Sequence, residues 1–116
     1  MPEATLSQLK KTRYISESYV LIREIKTYLD IGDFHVPLGI KIYLTDVNSE
    51  LPYHYEVNAN VHTPIQNGPY YPSRTNYETE GMAISSAVND FAAFIEAAIE
   101  KGHKPSETWL IPNDRF

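Results

Sequence analysis

His54, Glu56 and His62 carry the donor types that a divalent metal accepts in a chain without cysteine, imidazole nitrogen and carboxylate oxygen. On a strand, residues two apart share a face, so His54 and Glu56 would stand about 7 Å apart and could converge on one ion or one small ligand. His62 lies roughly 20 Å further along an extended chain. A third ligand would have to come from elsewhere, with His35 the remaining candidate. The plainer account of the same residues is the solvated polar face of a strand.

Other catalytic patterns are missing. No serine sits in a G-x-S-x-G elbow or beside a recognisable base. No local pair of carboxylates is set for acid–base work, since Glu78, Glu80, Glu96 and Glu100 read as the charges of a helix. Five glycines form no phosphate cradle. Nothing here points to an enzyme, and no cofactor is expected.

A second candidate surface is built from aromatic and proline residues rather than titratable ones. Tyr70 and Tyr71 sit in the loop Asn67, Gly68, Pro69, Tyr70, Tyr71, Pro72, and Trp109 opens the apolar run Trp109, Leu110, Ile111, Pro112. Tyrosine, tryptophan and proline offer rigid contact area at low entropic cost, and the two aromatics carry much of the energy of protein interfaces. The competing account is that these rings cover one end of the core.

Composition narrows the field. At 116 residues the chain suits one domain, read as residues 13–116 behind a flexible N-terminal arm of residues 1–12. Hydrophobic residues make up 42% and charged residues 22%, as in ordinary soluble domains. Zero cysteines exclude disulfides, thiolate metal sites and a cysteine nucleophile. No window reads as a membrane span and residues 1–13 lack a secretory apolar run, so a cytoplasmic protein is expected. The net charge of −5 opposes binding to nucleic acid, and Lys10, Lys11 and Arg13 are the one basic cluster.

The elements that must position these residues follow from periodicity. In residues 79–102, Ile84, Ala87, Val88, Phe91, Phe94, Ile95, Ala98 and Ile99 recur at three- and four-residue steps and form one apolar helix face. Thr79 is placed to cap its start and Gly102 to end it. Phe34, Val36, Leu38, Ile40, Ile42 and Leu44 alternate with polar residues, as do Tyr53, Tyr55, Val57, Ala59 and Val61, which predicts an antiparallel hairpin. Residues 74–78 suggest a short third strand.

Residues 16–31 are ambiguous. Steps of 100° gather Leu21, Ile22, Ile25, Tyr28 and Leu29 within about 120°, which favours an N-terminal helix. Their β-branched and aromatic content, with Asp30, Ile31, Gly32, Asp33 as a turn, fits a further strand. The element order resembles that of double-stranded-RNA-binding domains, but Glu78 and Glu80 stand where such a domain needs basic residues.

The expected fold is α+β, a two- to three-stranded antiparallel sheet packed on a long C-terminal helix, with that N-terminal helix or a further strand. The expected function is a non-catalytic protein-interaction or accessory protein that binds a protein partner or a second copy of itself. The alternative is a small-molecule- or metal-binding domain using the polar face of residues 53–61. A pocket holding His54 and Glu56 would favour the alternative, and a flat tyrosine-rich surface the interaction reading.

Overall fold

Val36, Leu38, Ile40 and Ile42 are fully enclosed in the computed structural model, which describes residues 1–116. They line one face of β2 (Phe34–Thr45), the strand between β1 (Tyr19–Ile31) and β3 (Tyr53–Val57). With β5 (Asn76–Tyr77) these make a four-stranded antiparallel sheet in the order β1-β2-β3-β5. β4 (Ala59–Val61) pairs antiparallel with β6 (Leu110–Pro112) in a second, two-stranded sheet. The helices are α1 (Pro2–Lys11) and α2 (Glu80–Glu100), and a single 3-10 turn, Glu107–Trp109, precedes β6. The class is α+β, with a long C-terminal helix on a largely antiparallel sheet and a helix at the N-terminus.

That N-terminal helix is not where periodicity placed it. Residues 2–11 form α1, and residues 19–31, for which helix was favoured, form β1. A β-bulge explains the difference. Pairing with β2 slips between Leu21 and Arg23, so Ile22 and Ile25, three apart, both pack on the core instead of alternating. The slip imitates a helical step. The turn chemistry was the truer signal, because Ile31 pairs with Phe34 across Gly32 and Asp33, whose φ values of 53° and 68° are those of a two-residue type I′ hairpin.

The single strand expected over residues 53–61 divides into β3 and β4, although the alternation runs through both, with Tyr55, Val57, Ala59 and Val61 buried. At Asn58 the chain bends from one sheet into the other. The Asn58 N–H donates to Gly39 O at 3.1 Å, its Oδ1 accepts from Gly39 N at 2.9 Å, and its carbonyl accepts from Asn113 N at 2.9 Å. One amide side chain thus satisfies the donor that the departing strand leaves behind.

α2 buries Ala87, Phe91, Ile95 and Ala98 from the expected face, and Ala83 a turn earlier joins them. Thr79 caps it by accepting from Met82 N at 3.1 Å. An 18-residue stretch of it, with a mean hydropathy of 1.3, would by length and composition also suit a membrane span, but here the apolar face packs on the sheet. The far end closes as a Schellman motif, in which His103 N donates to Ala98 O and Gly102 N to Ile99 O. Gly102 has φ +87°, and a Cβ there would meet nothing within 4 Å. Gly102→Val should therefore cost only the strain of a left-handed β-branched residue, about 1–2 kcal/mol in thermal unfolding. An unchanged melting temperature would contradict it.

Candidate functional site

With α2 on one side of the four-stranded sheet, the other side is open except where Phe116 lies against Gly39 and Lys41, and it carries the residues singled out for ligand chemistry. His54 in β3 pairs with Tyr43 in β2, and Glu56 with Lys41. His54 Nδ1 lies 3.0 Å from Thr75 Oγ1 and 3.1 Å from Asn76 Oδ1. Its ring is flanked edge-on by Tyr19 at 5.4 Å and by a tilted Tyr43 at 6.1 Å between centroids. The Tyr43 hydroxyl donates to Glu56 Oε1 at 3.0 Å. Burial raises the Tyr43 pKa and the Glu56 carboxylate adds to the effect, so the hydroxyl stays a donor.

Tyr19, Tyr43, His54, Glu56 and Arg115 together line an open cleft of about 400 Å³. His54 and Glu56 are thus brought together, as their spacing in a strand requires. His62 is not. It follows β4 in the second sheet, where its N–H donates to Trp109 O at 2.8 Å. His35 sits near the tip of the β1–β2 hairpin, stacked on Tyr28 at 5.0 Å and 3.2 Å from Asp30 Oδ1. No three His, Asp or Glu side chains converge where one ion could be held.

The aromatic candidates divide. Trp109 is 5% exposed and belongs to the core, edge-on to Phe34 at 6.1 Å, so its ring is used internally. Tyr70 is half-buried against Phe94 at 5.3 Å, and burial with nearby Asp90 raises its pKa. Beneath it the Tyr55 hydroxyl donates to Asp90 Oδ2 at 2.6 Å, and burial first, then this bond, pushes Tyr55 far above the usual tyrosine range. Of the three, Tyr71 alone stands clear, 70% exposed beside Ile111, Pro112 and Arg115.

The surface that sequence reasoning missed is the outer edge of β1. β1 ends the sheet, and no backbone hydrogen bond reaches it from the side away from β2. Its 13 residues run about 43 Å at the usual rise per residue. The register says which groups are free. Ile31 and Phe34 close the two-residue turn as a bonded pair, and the pairs then alternate. Gly39, opposite Lys26, gives both its backbone groups to Asn58, so the N–H and C=O of Lys26, and likewise of Tyr28 and Asp30, point outward.

Beside this edge runs a groove of about 560 Å³ between β1 and α2, lined by Leu29, Ile31, Val88, Ala92 and Glu96 among others. α1 packs at the opposite end of the hairpin, near Leu44 and Thr45, and leaves the stretch from Ile25 to Ile31 uncovered. Tyr19, Leu21 and Tyr28 add exposed apolar area along the same strand. The one signal that could have found this edge was the Gly32-Asp33 turn, which makes the preceding residues a long first strand. Compared with models of protein families, with characterised proteins and with solved structures, the chain finds no match.

Proposed function

We propose that this chain is a non-catalytic interaction or accessory protein that engages another polypeptide through the outer edge of β1. The observation that carries the reading is the row of outward backbone groups at Lys26, Tyr28 and Asp30 beside an apolar groove. Unpaired edges of this length are normally shortened, bulged or covered, because they accept any extended segment as a further strand. Main-chain bonds would give a partner its affinity and the groove its side-chain preference.

Tyr28→Pro tests this with little effect on the fold. The N–H it removes faces away from β2, and an edge position tolerates proline. Tagged native and Tyr28→Pro chains are expressed in the same cells and recovered. A polypeptide held in fixed ratio by the native chain, an untagged copy included, is expected to be lost from the variant. A native chain recovered alone, or companions retained equally by both forms, would overturn the reading.

The cleft at His54 and Glu56 supports a second reading, binding of a small molecule between the Tyr19 and Tyr43 rings with Glu56 and Arg115 as polar contacts. Nuclear magnetic resonance shifts confined to Tyr19, Tyr43 and His54 on adding small metabolites would favour it over the first.

A further inference from the structure

We propose that the occupant of the β1 edge is a second copy of this chain, paired antiparallel about a two-fold axis through Tyr28. The inference rests on the interaction reading above and names the partner. A two-fold pairing must match outward backbone groups with outward backbone groups, so Glu24, Lys26, Tyr28 and Asp30 can face only one another across the axis. The side chains of these four lie on the open face of the sheet, and Ile25, Thr27, Leu29 and Ile31 lie on the α2 face.

Few registers meet that condition, and charge separates them. An axis through Lys26 sets two ammonium groups face to face. An axis through Thr27 sets Glu24 against the partner's Asp30. An axis through Ile25 matches Glu24 with the partner's Lys26, but it runs the partner strand into the bulge between Leu21 and Arg23. An axis through Leu29 sets Asp30 against the partner's Tyr28 and leaves Lys26 opposite the Gly32 turn with no charge partner, whereas the axis through Tyr28 avoids all of these faults. Lys26 then faces the partner's Asp30 and Asp30 the partner's Lys26, with Tyr28 beside its own copy.

The α2 face agrees with the same register. Ile25 meets the partner's Ile31, and Leu29 the partner's Thr27, so each half-buried apolar residue of the edge gains a neighbour across the axis. These side chains close the groove lined by Val88 and Ala92. The two four-stranded sheets become one continuous sheet with both long helices on the same side. Asp30 already lies 3.2 Å from His35 through Oδ1, and its second oxygen is free for a lysine. Seven residues of strand with a helix flank make a small interface, so dissociation is expected in the micromolar range.

The register is tested by charge exchange at two exposed positions, of which Asp30 alone makes a side-chain contact within the chain, its surface bond to His35. Lys26→Glu alone sets two carboxylate pairs across the axis, and Asp30→Lys alone sets two ammonium pairs. Each variant should self-associate about tenfold more weakly than the native chain in sedimentation equilibrium. Mixed in equal amounts, the two variants form two attractive pairs and should recover native affinity as a heterodimer. A chain that stays monomeric at millimolar concentration overturns the self-pairing. So does a dimer whose affinity neither variant changes, or singles that weaken without recovery on mixing. If the native chain is monomeric yet loses a different polypeptide on Tyr28→Pro, the interaction reading survives and only the self-pairing falls. If it is monomeric and recovered alone, both fall.

Discussion

Phe91→Ala is expected to lower the free energy of unfolding by about 3–5 kcal/mol, read from urea titration followed by circular dichroism. Phe91 is 3% exposed and stands mid-helix between Ala87 and Ile95, whose side chains also face the sheet. Together with the strand residues Tyr55, Val57, Ala59 and Val61 it lines one small void. Alanine removes most of that contact and leaves a cavity walled by strands that cannot close on it. Ala87, one turn before it, is too small to fill the space, and Ile95 is already fully packed. A loss below about 1 kcal/mol would mean that the helix face is not the packed surface described here.

Deleting residues 108–116 should cost at least as much. The segment removes Trp109 from the core, the β4–β6 pairing, and the Asn113 side-chain bond to Val57 O at 2.9 Å. It also removes the contact of Lys41 Nζ with Phe116 O at 2.9 Å and its position over the Phe116 ring. Burial of a tryptophan alone is worth about 3–5 kcal/mol, and in a domain of this size each kcal/mol shifts the midpoint by about 3–6 °C. A fall in melting temperature of at least about 10 °C follows. The single tryptophan gives an independent check, because its emission should move to longer wavelength on denaturation. A native spectrum already that of exposed indole, with a melting point unchanged by the deletion, would show that the tail is not docked.

The legibility of the chain depended on whether one rule governed each stretch. α2 was plain because capping, periodicity and the terminal glycine agreed, and β2 because its alternation is unbroken. In β1 a single extra residue at the bulge shifted the phase of the pattern, so a rule that assumes a constant step assigned it to a helix. Asn58 was invisible for the opposite reason, since the strand changes sheets there without disturbing the alternation. The functional candidates suffered from the same limit. His54 and Glu56 share a strand, so their meeting was legible. The distance of His62 from them was legible too, and burial of Trp109 was one of the two accounts its apolar run allowed; the exposure of the β1 edge depends on pairings between residues far apart in sequence, which local patterns do not encode.

The bend at Asn58 divides the molecule in time as well as in space. The β1–β2 hairpin closes over two residues, a step of microseconds, and the strands it orders are neighbours in the chain. The β4–β6 pair closes over about fifty residues, so its entropy cost is met only after α2 has crossed the sheet and brought residues 107–112 back. Asn58 can receive Asn113 only at that late stage, when its other bonds already hold it against Gly39. Assembly therefore runs from the hairpin tip toward Phe116. The C-terminal segment is the last part to arrive, and with Trp109 it closes the core behind it.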